Sequence, residues 1–227
     1  MGSYSACMGD GHRRWRHARA LAIVAALLAS AEPVRAGQTV IDLGAYVGYQ
    51  FGGTAEGRSA QTVGTASIDS SASIGVLGDI ALYPNGYFEF GYSRQDTDIT
   101  VRTSDGRDAR HDFAVQYFTG GGMMEFPISR RYDWVRPVLS CMLGVSSFSA
   151  NDAGYSYDEW HFSLLFDGGV KFRIVDNFGV RLRARFATTF LPAKSAMFCG
   201  DQAGCALTFQ GTALFQGEGA AGVYVAF

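Results

Sequence analysis

The chain has 227 residues, 48% hydrophobic and 14% aromatic but only 18% charged, with 29 Gly and 5 Pro. That length allows one domain of barrel or sandwich size or two small ones, and the composition argues against a disordered chain. Nineteen basic residues against 21 acidic ones, a net charge of −2, give no field to hold nucleic acid.

The first 36 residues read as a targeting segment. His12-Arg13-Arg14-Trp15-Arg16-His17-Ala18-Arg19 is basic, Ala20 to Ala31 is apolar, and Glu32-Pro33-Val34-Arg35-Ala36 ends on a small residue before Gly37. This order is that of a cleavable export signal. The apolar stretch is well under the ~20 residues a membrane-crossing helix needs. Cys7 precedes that stretch, so a lipoprotein signal is not expected, and Met8 offers a second start site. The domain reading is 1–36 signal peptide and 37–227 folded domain.

From Val40 onward the apolar residues recur with period 2, broken at Gly, Pro, Asn and Asp clusters. Eight strands are expected, at about 40–53, 70–83, 86–103, 110–127, 134–149, 159–175, 178–192 and 207–227. The connections sort by parity. Pro84-Asn85-Gly86, Ile128 to Asp133 and Asp176-Asn177 are short, whereas Thr54 to Asp69 and Ala193 to Ala206 are long. Of the others on that second side, Asn151 to Asp158 is modest and Ser104 to Asp108 tight. With a periplasmic N-terminus every short turn is periplasmic and both long loops are outside, the asymmetry of an outer-membrane barrel.

The faces of the strands carry the same message. In the sixth segment Phe162, Leu164, Phe166, Val170, Phe172 and Ile174 alternate with His161, Ser163, Asp167, Lys171 and Arg173. In the seventh, Phe178, Val180, Leu182, Ala184, Phe186 and Phe190 alternate with Arg181, Arg183 and Arg185. Alternation also suits a soluble sandwich with a buried core. A band of about 9–11 residues with an aromatic outer face instead suits a strand tilted across a bilayer.

These features, with the ending Val223-Tyr224-Val225-Ala226-Phe227 and the stretch Trp134-Val135-Arg136-Pro137-Val138, resemble the small eight-stranded outer-membrane barrels, the OmpA/OmpX-like group. The resemblance covers essentially all of residues 37–227. It implies an all-β, eight-stranded antiparallel up-and-down transmembrane barrel in the outer membrane of a Gram-negative bacterium. It also implies that Val223, Tyr224, Val225 and the terminal Phe227 form a signal to the barrel assembly machinery. A peptidoglycan-binding domain after the barrel is not expected, so that role of larger members is not implied.

An eight-stranded barrel is just wide enough inside for side chains to fill. Projecting the alternation inward expects Asp42, Asp79, Glu89, Asp167 and Glu218 in the lumen, with Arg136, Lys171, Arg173, Arg181, Arg183 and Arg185. Enclosed charges are costly unless paired, and the planar Arg fork suits carboxylates. A salt-bridged plug is the favoured reading, and a narrow channel for ions or small solutes the alternative.

A third reading rests on His161 and Ser163, a base and a nucleophile on one strand face. The pair resembles the His-x-Ser of outer-membrane lipid A deacylases. Leu164 stands where that family has Asn, and no orienting carboxylate completes a triad. The chain is therefore expected to be non-enzymatic, with no cofactor and no metal.

Cys199 and Cys205 flank Gly200-Asp201-Gln202-Ala203-Gly204, a spacing that can close a small disulfide loop in an oxidising compartment. Cys141 is expected to act as a small hydrophobe.

Gly52 to Ser59, Arg94-Gln95-Asp96-Thr97-Asp98 and Arg102 to His111 are polar segments expected beyond the membrane. There they could meet lipopolysaccharide or an extracellular ligand. Interface aromatics are expected at Tyr83, Tyr87, Phe88, Trp134 and Phe178 on the periplasmic side and at Phe148, Tyr155, Tyr157 and Trp160 outside. The partners implied are outer-membrane lipid, lipopolysaccharide and the assembly machinery, with no nucleic acid.

Overall fold

A computed structural model describes residues 41–58, 63–102, 108–152, 155–191, 196–200, 204–209 and 213–227. The expected signal peptide lies outside the described residues.

Eight long strands make the wall: β1 (Ile41–Phe51), β4 (Ser71–Tyr83), β5 (Gly86–Arg102), β6 (Asp108–Glu125), β7 (Val135–Asp152), β8 (Tyr155–Val175), β9 (Phe178–Phe190) and β12 (Ala213–Ala226). Each pairs antiparallel with the next in that order, and β1 pairs with β12, so the sheet closes on itself. The closing seam runs in unbroken register from Asp42↔Ala226 to Phe51↔Gly217. At its foot the backbone N–H of Ile41 donates to the Phe227 carbonyl (3.2 Å) and that of Phe227 to the Ile41 carbonyl (2.9 Å). Closure leaves the eight-stranded wall no free edge, the condition for a sheet in hydrocarbon.

Both chain ends of the wall lie at what we call the turn end, with the short connections. Tyr83 pairs with Gly86 across a two-residue turn, whose positive φ of 64° is carried by Asn85. Asn accepts that conformation at little cost. A 3-10 turn at Arg130–Tyr132 fills the longer connection between β6 and β7.

Four short strands at the opposite, loop end were not read from the sequence: β2 (Thr54–Arg58), β3 (Val63–Ile68), β10 (Ala196–Gly200) and β11 (Gly204–Phe209). Thr54 to Asp69, read as a loop, contains the hairpin β2–β3, and Ala193 to Ala206, read as another, contains β10 and the first half of its partner β11. The two hairpins join through Thr208↔Arg58 and Phe209↔Gly57, and β3 pairs with the upper part of β5. The segment read as one strand over 207–227 is divided between β11 and β12. Pairing with neighbours, not apolar periodicity, makes strands of these short, Gly-containing pieces.

Burial is inside out relative to a soluble sandwich. Val47 is 66% exposed, Leu82 63% and Ile174 62%, while Glu89, Gln95 and Ser163 are fully enclosed. In water the exposed apolar wall would be unstable. Against lipid tails it is the favourable surface, and the enclosed charges pair with one another inside.

Candidate functional site

The lumen is built by one residue parity on every strand, and its contents change along the axis. Nearest the turn end, the Lys171 ammonium donates to Asp42 (2.9 Å), Asp79 (2.8 Å) and Glu125 (3.0 Å). Register places Asp42 of β1 beside Asp79 of β4, bringing the carboxylates onto one side of the lumen. The ammonium also lies 5.2 Å from the Tyr87 ring and 5.3 Å from the Tyr224 ring. An ammonium has three donors, and here all three are used on carboxylates.

The next level holds Arg181 and Arg183. Arg181 pairs with Glu89 (2.7 Å) and Asp79 (3.5 Å), and Arg183 pairs with Asp167. The Arg183 guanidinium stacks 4.7 Å from the Tyr46 ring. Tyr46 faces Gly75 on one neighbouring strand and Gly222 on the other. A Cβ on Gly75 would sit 2.3 Å from that ring, so the two glycines make the space in which the ring lies against the wall. Above this, Arg185 pairs with Glu218 (2.8 Å) and donates to Ser93 (3.0 Å), and Ser73 donates to Glu218. The tight Arg–carboxylate contacts offset the cost of enclosing ions in so narrow a space.

Toward the loop end charge gives way to amides and hydroxyls. Tyr117 donates to Gln216 (2.6 Å), which donates to Gln95 (3.5 Å), and Ser163 shares hydrogen bonds with Ser146 (3.1 Å) and Thr189 (3.0 Å). Beyond these an apolar cluster that includes Ile68, Ile99, Phe113, Phe148, Leu191 and Leu214 fills the interior.

Several site residues read from the sequence sit elsewhere than expected. Arg173 is outside the lumen, at the turn-end rim, where it pairs with Asp133. Arg136 stands half-exposed in the mouth, bonded to Glu125 (3.0 Å). Both belong to the inward parity, but their strands reach the rim there and the long side chains bend to carboxylates at the opening. Tyr87 and Phe148, expected in the aromatic girdles, point into the lumen instead. Tyr87 lies against Lys171, and Phe148 lies against His161 (5.2 Å) and Phe113 (5.7 Å). Tyr83, Phe88, Trp134 and Trp160 are exposed on the outside. The side chains of Tyr155 and Tyr157 lie outside the described residues.

Lumen residues that the sequence reading did not place there include Glu125, Tyr46, Tyr117 and Gln95. Glu125 was legible, since the apolar Met124 and Phe126 beside it point outward. The others are uncharged, and an uncharged side chain at an inward position leaves no mark in the ionic pattern.

His161 and Ser163 both face inward, yet the structure does not join them. Ser163 is bonded to Ser146 and Thr189. A carboxylate does stand beside the ring, contrary to the sequence reading: the His161 Nε2 lies 3.1 Å from Glu159, though neither ring nitrogen is aligned for a hydrogen bond. The backbone sets Cys199 opposite Cys205 across the β10–β11 hairpin, and their side chains lie outside the described residues. Cys141 is a free thiol on the outer wall. On the outward face of the β5–β6 extension, Arg110 pairs with Asp98 (2.7 Å) and Asp69 (3.1 Å). That hydrogen bond to Asp98 holds its guanidinium above the usual arginine value.

No protein-family model matches the sequence, and no curated protein matches it either. Solved structures do. The crystal structure of Neisserial surface protein A superposes with a TM-score of 0.55 at 16% identity, covering 84% of this chain and all of that one. The fold is that of the small eight-stranded outer-membrane barrels. The outer-membrane protein OprG from Pseudomonas aeruginosa agrees, with a TM-score of 0.56 at 11% identity over 83% of this chain and 95% of that one. Identities this low carry the architecture and not the side chains of the lumen.

Proposed function

We propose that this barrel resides in the outer membrane as a non-enzymatic protein with a closed lumen, serving envelope integrity or surface interaction through its loop-end strands. The observation that carries the reading is the filled lumen. Ion-paired arginines and Lys171 occupy its turn half, and apolar side chains cap its loop half. Outer-membrane lipid covers the apolar wall, with lipopolysaccharide at the loop-end rim. Export by the 1–36 segment and delivery through the Val223, Tyr224, Val225 and Phe227 ending complete the proposal. The non-enzymatic part is supported by the separation of His161 from Ser163, whose hydroxyl is engaged elsewhere.

Reconstitution into planar bilayers tests it. The expected record is the absence of unitary current at moderate voltage, with lipid A mass unchanged after incubation. A steady current would replace this reading with the narrow-channel alternative. Loss of acyl mass from lipid A would bring His161 and Ser163 forward as a catalytic pair.

A further inference from the structure

On the outer wall the apolar band ends at one level on four neighbouring strands. Tyr92↔Phe118↔Val145↔Phe162 is its last row across β5, β6, β7 and β8. Two rows higher, Asp96↔Ala114↔Ser149↔Asp158 carries a carboxylate at each end and small side chains between. Three strand spacings, roughly 14 Å, separate those ends. The result is a shallow recess with the apolar band beneath it and an acid on either side.

An aromatic shelf forms its lower lip. The rings of Tyr92 and Phe118 lie 4.9 Å apart, and those of Phe118 and Trp160 lie 5.7 Å apart. Phe118 and Trp160 stand two strands apart, about 10 Å between backbones, so their rings meet only by leaning over β7. Ser147 sits there, cross-strand from Trp160. It points outward, since Ser146 beside it is bonded to Ser163 in the lumen, yet it is only 4% exposed. Its hydroxyl has no hydrogen-bond partner among the described residues. A polar group this enclosed costs free energy unless a partner reaches it.

The charge around the recess is negative. Asp158 and Asp112 are exposed and pair with no base among the described residues. Arg94 is held by Asp96 (2.8 Å), and Arg110 is shared by Asp98 (2.7 Å) and Asp69 (3.1 Å). Those five carboxylates outnumber the two guanidiniums, so an anionic headgroup is repelled and a cationic one attracted. The face of a tryptophan ring attracts a cation as well, and a primary ammonium has donors for both a carboxylate and a hydroxyl.

We propose that this recess binds the primary ammonium of a lipid headgroup in the surrounding leaflet. The ammonium lies against the Trp160 ring and donates to Asp158 and to the Ser147 hydroxyl, while the acyl chains run down the apolar wall below. The source is membrane lipid because the recess opens sideways on the wall, at the level where an aromatic belt meets the headgroups. The proposal rests on the outer-membrane and surface-interaction reading above and names a partner for that surface.

The test uses the full chain refolded into phosphatidylcholine vesicles, in two versions. Trp15→Phe with Trp134→Phe leaves Trp160 as the reporter, and Trp15→Phe with Trp160→Phe leaves Trp134 at the turn end. Phosphatidylethanolamine or phosphatidylglycerol with brominated chains replaces part of the host lipid. Quenching then measures the local share of each against brominated phosphatidylcholine, a cation without N–H donors. The expected result is at least threefold enrichment of phosphatidylethanolamine at Trp160 and none at Trp134, with phosphatidylglycerol depleted at Trp160. Asp158→Asn removes the enrichment and Ser147→Ala lowers it, with the heat-dependent gel mobility of the folded barrel unchanged.

Equal enrichment at both tryptophans, or enrichment that survives Asp158→Asn, overturns the proposal. A preference for phosphatidylglycerol overturns it too. Displacement by equimolar soluble phosphoethanolamine would give the site to a free amine and overturn the lipid source. A barrel that conducts ions yet keeps the preference would remove the closed-lumen reading and leave this one standing, and a silent barrel without the preference would do the reverse.

Discussion

At the turn end of the lumen Lys171 gathers three carboxylates, whereas at the loop end Phe113, Phe148 and Leu214 fill the interior with apolar atoms. Both ends exclude water, by different physics. The ionic end is specific and brittle, because removing one partner leaves enclosed charge uncompensated. The apolar end is non-directional, and its loss scales with the volume removed. Between them, Tyr117 links the two kinds of packing, its ring under Arg185 (5.3 Å) and its hydroxyl on Gln216. A barrel so narrow can be closed by either chemistry, and this one uses the charged set at the end where Ile41 and Phe227 are bonded together.

The comparison is broken most severely at Lys171. Lys171→Met keeps the bulk of the side chain and leaves Asp42, Asp79 and Glu125 facing one another. The expected cost is about 5 kcal/mol, the upper end for an orphaned buried charge, read from the urea midpoint in lipid vesicles. Lowering the pH protonates these carboxylates and relieves their repulsion, so the deficit against the parent shrinks as pH falls. A deficit that stays constant with pH would mean that bulk, not charge, is what Lys171 contributes.

Leu214→Ala is expected to cost roughly 3 kcal/mol through the cavity it leaves, with no pH dependence, since no titrating group changes its partner. A pH-dependent loss would mean that the apolar cluster shields the ionic layer. The smallest effect is expected at Arg110. Its pairs with Asp98 and Asp69 lie in water, where ion pairs contribute little, so Arg110→Leu should leave the urea midpoint unmoved. A clear shift would make the loop-end sheet part of the barrel's stability.

The strands were legible because a wall with lipid outside and a packed lumen inside imposes period 2 over the whole crossing. Ile41–Phe51 and Phe178–Phe190 announce themselves this way. The inward charges of β9 were equally plain, since Arg181, Arg183 and Arg185 alternate with Leu182 and Ala184. What each one pairs with was not legible, because partners such as Arg185 and Ser93 lie far apart in the chain and meet only across the lumen. Arg173 and Arg136 were misjudged for a related reason. Parity gives the face of the sheet but not the height at which the lumen ends.

The sequence by itself determined an all-β chain with alternating faces and connections sorted by length, because those follow from local periodicity and turn chemistry. Only the tertiary structure decided the closure of β1 on β12 and the two-part lumen. Each of these depends on register between distant strands, and a one-residue slip in register would turn every inward charge toward lipid.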